Sequence, residues 1–324
     1  MAIGDGNYMF FTVGAGQIWF TRRAGDGSWA PALQETNPKL PGEAAAQAVS
    51  TQGTAELQHL AIVADGGELW HSLWDSQGRA TVFGDVQATA AGRVGGFMDV
   101  DAAHGLPSFG PPWPLFVVGC TVDGKLWYTI RKPDGTWQPF KDIQAATGAG
   151  QIGPVRNVSC THEPHRLTSD PEDPLPAFHV VALTRNYRLF HTRHDFLSGA
   201  FSPFVDIETA GAGEAGNFSD VSCAWASVIF GNRLHVCAVA DDTVKHTMMF
   251  PSMTWAPFFN VKTEAGDPGR IEKVACAMPS IPIDPNGQAV LSSPLSVVVL
   301  TSEQKAWRTG RLSFLGTPGT WGPS

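Results

Sequence analysis

One column of large side chains recurs along the chain: Phe20, His71, Tyr128, His191, His246 and Arg308. All but Phe20 carry a polar tip. A ring with an apolar face and a hydrogen-bonding edge suits a saccharide, whose C–H face stacks while its hydroxyls are held by the tip. The same column would serve equally as a structural hydrogen bond to a neighbouring strand, repeated because the backbone is repeated. Arg22 and Arg193 stand two residues beyond the column, and Arg131 and Arg311 three beyond. Guanidinium groups there could clamp hydroxyls. A second column, Trp29, Trp137, Phe201, Trp255 and Trp321, follows each tight turn and either packs under the next unit's loop or offers binding surface.

Other chemistry has weaker footing. His162, Glu163 and His165 sit together, and Asp170, Glu172 and Asp173 form an acidic run, but neither group has the spacing of a zinc or EF-hand site. Both read as solvated loops, with no metal and no cofactor expected. Asp85, Asp142, Asp206 and Asn260 share one column, and the exchange of Asp for Asn points to an Asx-turn that accepts backbone N–H groups. The run Lys132 to Trp137 lacks the hydroxyl and the spacing of a sialidase Asp-box and reads as a hairpin. Paired carboxylates for hydrolysis cannot be assigned by spacing in a repeat whose sites assemble between units. The expectation is therefore a protein that is not an enzyme.

The elements that must position these columns are strands. The column before the first one holds Trp19, Trp70, Trp127, Phe190, Lys245 and Trp307, at steps of 51, 57, 63, 55 and 62 residues. These residues either stack on a ligand or pack unit against unit. Each copy is preceded by an apolar run without polar alternates, such as Val180 to Leu183, which fits a strand covered on both faces. Asp-Gly and Pro-Asp-Gly turns separate the strands, where glycine supplies positive φ. Before each apolar run comes a segment with a Val two residues ahead of a small residue, as in 97–102, 155–160, 218–223 and 271–276. Small side chains suit a crowded innermost strand. The sum is four strands per repeat, and periods of this size mark propeller blades. The sequence predicts an all-β, six-bladed β-propeller of four-stranded antiparallel blades, with seven blades as the alternative. It reads as a single domain over 1–324, with repeats near 1–45, 46–95, 96–153, 154–216, 217–269 and 270–324. Ahead of Tyr8 only Met1, Ala2 and Ile3 are available for a first inner strand.

The stretches VDGKLWYTIRKPDGTWQPF (122–140) and ADGGELWHSLW (64–74) resemble the repeats of PLL-type β-propeller lectins and, more distantly, tectonin and tachylectin-like propellers. That resemblance implies binding of fucose or O-methylated sugars in shallow pockets between blades, without metal, in a dimer or larger homo-oligomer. Weak single sites would then add through multivalency. It departs from the family in blade count, since PLL-type lectins have seven, and in longer loops at 34–45, 161–177 and 279–293. A protein-binding adaptor or toxin component, and more remotely a glycoside hydrolase, are the competing functions.

Composition narrows the partners. A net charge of −8 argues against nucleic acid and anionic membranes. No run approaches the 18 apolar residues of a membrane span. The start, MAIGDGNYMFF, lacks the charged and apolar regions of a signal peptide, so the expectation is a cytoplasmic protein or one released by another route. Five cysteines, three of them (Cys160, Cys223, Cys276) in one inner-strand column, read as buried reduced thiols.

Overall fold

The computed structural model describes residues 2–3, 8–13, 17–22, 34–35, 40, 44–54, 57–75, 80–90, 92–104, 114–146, 151–163, 177–196, 198–226, 233–278, 295–312 and 320–323. Their strands form six four-stranded antiparallel sheets, each built in chain order. The first holds β1 (Ala2–Ile3), β2 (Tyr8–Val13), β3 (Gln17–Arg22) and β4 (Gln34–Glu35). The second holds β5 (Ala44–Thr54), β6 (Leu57–Ala64), β7 (Leu69–Asp75) and β8 (Gly84–Asp85). The third holds β9 (Phe97–His104), β10 (Leu115–Thr121), β11 (Leu126–Arg131) and β12 (Lys141–Asp142). The fourth holds β13 (Val155–Glu163), β14 (Ala177–Thr184), β15 (Leu189–Asp195) and β16 (Val205–Asp206). The fifth holds β17 (Phe218–Ala226), β18 (Arg233–Ala240), β19 (Thr243–Met249) and β20 (Phe259–Asn260). The sixth holds β21 (Ile271–Ala277), β22 (Leu295–Thr301), β23 (Ala306–Leu312) and β24 (Thr320–Pro323). First strands neighbour one another in order, β5 on β9, β9 on β13, β13 on β17 and β17 on β21, and β1 lies against both β5 and β21. This is a β-propeller of four-stranded antiparallel blades.

The core sits in the seams between blades. Phe116, Val118 and Tyr128 of the third blade pack on Val158, Cys160, Phe178 and Val180 of the fourth, and the later seams repeat the arrangement. Every residue of β10 and β14 is buried, which explains their missing polar alternates. The preceding column packs at the same seams: Trp70 and Trp127 are half-buried against apolar clusters, while Trp307 is exposed. Lys245, the polar member of that column, is half-buried beside Asn260 in the ladder.

The fourth strand lies further along the chain than the aromatic column suggests. Trp137, Phe201 and Trp255 each form only an isolated bridge, to Arg131, His194 and Met249. The strand proper is a pair of residues at the carboxylate column, because the Pro beyond each of these aromatics has no N–H for the ladder. In the sixth blade Trp321 does lie within the fourth strand. The carboxylate column accepts backbone N–H groups as an Asx-turn does: Ala88 donates to Asp85 (3.0 Å), Ala145 to Asp142 (3.2 Å), Glu208 to Asp206 (3.1 Å) and Lys262 to Asn260 (3.1 Å).

Between second and third strands the turn demands a left-handed residue. Gly67 and Gly124 sit at φ 80° and 85°, and a Cβ on either would come within 2.6 Å of Gly96 or Pro154 of the next blade. The fourth, fifth and sixth blades place Tyr187, Asp242 and Gln304 there at φ 60–62°. The turn is held close because its carbonyl accepts from the next first strand, Phe97 N–H to Gly67 and Val155 N–H to Gly124.

The inner strands are stitched by side chains. The first strands of the fourth, fifth and sixth blades present an edge with free N–H groups, and the preceding blade supplies the acceptors. Asp99 accepts from Val158 N–H (2.7 Å), and Asp101 from Cys160 N–H (2.7 Å) and Ser159 Oγ–H (2.6 Å). Asn157 accepts from Val221 N–H (3.2 Å), Ser159 from Cys223 N–H (3.0 Å) and Thr161 from Trp225 N–H (3.2 Å). Asp220 accepts from Val274 N–H (2.8 Å) and Ser222 from Cys276 N–H (3.0 Å). The small residues of this column are thus short acceptors as well as space-savers. Lys273 closes the run with an ion pair to Asp220 at 3.3 Å. Burial pushes Asp99 up to about 8, so it is a neutral acid at pH 7. All five cysteines are buried free thiols.

These contacts rank two substitutions. Asp220→Ala strands a buried N–H and removes the partner of Lys273, an expected loss of about 3 kcal/mol. Asp99→Asn replaces a neutral acid by its amide and should cost under about 1 kcal/mol. Urea unfolding of both variants checks the order; equal losses would refute the assignment of Asp99 as neutral.

Candidate functional site

The strand-three column points into the seams, and there it meets a partner column that spacing alone had not singled out. His71 Nε2 lies 2.9 Å from His59 Nδ1, His191 Nε2 lies 2.9 Å from His179 Nδ1, and His246 Nε2 lies 3.0 Å from His235 Nδ1. Tyr128 stacks on Phe116 at 5.3 Å, and Arg308 Nη2 donates to Ser296 Oγ at 3.0 Å. Each partner lies on the second strand, diagonal to its mate in the ladder and on the same face. The legible signal is a fixed separation of 12 residues, 11 in the fifth blade.

The following blade completes each seam from its third strand and the bridge beyond. Trp137 of the third blade meets His71 of the second edge-on at 5.4 Å, with Arg131 its cross-strand neighbour. Phe201 meets Tyr128 at 5.1 Å, beside His194. Trp255 meets His191 at 5.5 Å, beside Met249. Arg311 of the sixth blade brings Nη1 to 3.4 Å from His246 Nδ1, and Trp321 is its cross-strand neighbour. One quartet therefore recurs: a second-strand and a third-strand side chain from one blade, a third-strand and an outer side chain from the next. Trp29 and the side chains of Arg22, Phe20 and Trp321 lie outside the described residues.

The members differ in exposure. Tyr128, His191 and His246 lie beneath the surface, at 3%, 1% and 2% exposure, and His71 and Trp255 are also buried. Arg131, Arg193, Arg308, Arg311 and Trp137 are half-buried and form the outer edge.

Glu163 and His162 correct the solvated-loop reading. Both close the nine-residue β13, which runs far enough to carry them under the seam; Glu163 is buried and His162 half-buried. Glu163 accepts from His179 Nε2 at 3.0 Å and from Arg193 Nε at 3.3 Å. Burial raises its pKa, but the bonds from His179 and Arg193 and the charge of Arg193 outweigh that and hold it below the ordinary value. Trp225 of the fifth blade stacks on His179 at 4.8 Å. His165 and 170–174 lie outside the described residues. Among the described residues no group of three or more His, Cys, Asp or Glu is placed to hold a metal ion, and no helix is long and apolar enough to cross a membrane.

The imidazoles are neutral. Burial, then the Arg131 charge, lowers His71 to about 3, and burial with the charges of Arg311 and Arg233 lowers His235 to about 3. Burial likewise lowers His59, His179, His191 and His246. A neutral pair shares one N–H between its facing nitrogens and leaves the remaining ring nitrogens for other partners.

The fold and the repeated polar-aromatic seams define a β-propeller of four-stranded antiparallel blades. Several solved structures of similar fold are lectins by name. The fucose-specific lectin from Aleuria aurantia is 12% identical, with 99% of this chain and 92% of that one covered at a TM-score of 0.63. AofleA from Arthrobotrys oligospora is 14% identical over 97% and 84% of the chains at 0.57. The BP39L lectin from Burkholderia pseudomallei is 15% identical over 98% of both at 0.52. No protein-family model and no curated protein sequence matches the chain.

The neutral pairs give a pH dependence. The unfolded chain takes up protons on these imidazoles below its ordinary pKa of 6.5 while the folded chain refuses them, so stability falls as pH drops through that value. Asp99 and Asp101, raised by burial to about 8 and about 6, work in the opposite direction. The six paired imidazoles outnumber them, so a net loss of stability is expected as pH falls from 7 to 5.5. Denaturant melts across this range check it; a flat profile would show that the pairs carry protons in the folded state.

Proposed function

We propose that the chain is a non-catalytic carbohydrate-binding lectin whose six sheets are the six blades of one closed ring, with sugar pockets at the seams. The observation that carries this is the recurrence of the seam quartet, an aromatic edge over polar rings with a guanidinium at the rim in several seams. A pyranose presents that combination with matching groups: a C–H face for Trp137, hydroxyls for Arg131, Arg193 and Arg308. Tyr128, His71, His191 and His246 lie beneath and orient the outer groups. The similar structures support the same ligand class, since the Aleuria aurantia protein is named fucose-specific and SapL1 was solved with alpha methyl fucoside. Fucose is accordingly the first ligand to try, and several weak sites engaging one glycan surface give the avidity.

Calorimetric titration with methyl α-L-fucoside, beside a glycan array, tests the reading. Saturable binding with more than one sugar per chain is expected, and Trp137→Ala should lower the number of sites while the variant, though lower in melting temperature, stays folded at the titration temperature. An array without any saturable response would leave the protein-binding alternative in its place.

A further inference from the structure

The quartets differ in charge. Between the fourth and fifth blades Arg193 is matched inside the seam by Glu163, 3.3 Å away, and the following blade contributes the uncharged Met249. Between the second and third blades the following blade contributes Arg131 instead. It is half-buried, and among the described residues its guanidinium forms neither an ion pair nor a hydrogen bond. The carboxylate whose charge it feels, Asp134, belongs to the exposed hairpin and is held by Thr136 through N–H (2.9 Å) and Oγ–H (2.6 Å). Its other neighbours are the neutral His59 and His71 and the cross-strand Trp137.

A partly desolvated cation among neutral groups is short of a counter-charge, and a bound anion restores what burial removed. The planar fork of Arg offers two parallel N–H groups to the oxygens of a carboxylate or sulfate. The net charge of −8 does not oppose this at short range, because charges beyond about 8 Å are screened at physiological salt.

We infer that the seam between the second and third blades is a site for a saccharide carrying an anionic group, a carboxylate or a sulfate ester, with Arg131 as its specificity-determining residue. Trp137 walls the sugar ring and His71 lies beneath it. The inference rests on the carbohydrate-binding reading above and narrows it. The Met249 seam takes neutral sugar.

The test titrates the intact chain with methyl α-L-fucoside, its sulfate ester, methyl glucuronide and inorganic sulfate. At least one anionic sugar is expected to bind about tenfold or more tightly than the neutral fucoside, weakening as salt rises. Which of the two does so separates sulfate from carboxylate. R131Q should abolish part of this preference, and M249R should add an anionic site. Equal affinity for charged and neutral sugars overturns the inference while leaving the lectin reading intact, as does a folded R131Q that keeps the full preference. Inorganic sulfate binding as well as the sugar sulfate overturns it too. If R131Q does not fold, M249R decides, and no added anionic site counts against the proposal. Failure of every sugar in the wild-type chain sinks the lectin reading itself.

Discussion

The free edge of each innermost strand is the constraint from which the rest follows. A four-stranded blade ends at the channel in a strand with one side unpaired, and its buried N–H groups need acceptors that no further strand supplies. Asp99, Asp101, Asn157, Ser159, Asp220 and Ser222 supply them from the neighbouring blade. The bonds fix the height of one blade relative to the next. A slip by one residue would turn every acceptor away from its N–H and every seam residue to the opposite face.

That registration makes the outer seams meaningful. Since successive blades cannot slide, Trp137 meets His71 and Trp255 meets His191 in the same edge-on manner although the chain between them differs. The paired imidazoles lie buried at the base of the seams and the guanidiniums stand at the rim, with Glu163 a buried carboxylate in the seam between the fourth and fifth blades. Burial keeps the paired imidazoles uncharged, so the rim guanidiniums set the local field. The rim cations differ in their surroundings, for Arg193 has a protein carboxylate, Glu163, beside it.

Much of this was legible in the sequence, and the misses have physical causes. The strand motif fixed β3, β7, β11, β15, β19 and β23, because an apolar run and a turn on each side leave a strand few alternatives. The third-strand column was visible since its members are large and regularly placed. Its second-strand mates were not, because His59, Phe116, His179, His235 and Ser296 differ in chemistry and lie inside otherwise apolar runs. Glu163 was misjudged because it sits at a strand's end beside a Pro-containing loop, where local composition reads as solvent-exposed. The carboxylate column was read correctly because an Asx-turn is a local interaction. The acceptor role of the inner column was hidden, since its bonds join residues 54–64 positions apart.

The stitching also has a direction. Each inner-strand bond named above from a backbone N–H runs from the later blade to an acceptor of the earlier one, while the side-chain N–H of Asn157 runs the other way, to Asp220 Oδ1 at 3.2 Å. A blade emerging from the ribosome meets its acceptors already made, so the ring can grow by addition in the order of synthesis. Shortening the chain from its end leaves acceptors that water satisfies, whereas shortening it from its start strands buried donors. A circular permutant opened at any seam changes which blade begins without that template, and the seam chosen for the cut governs how readily the ring assembles.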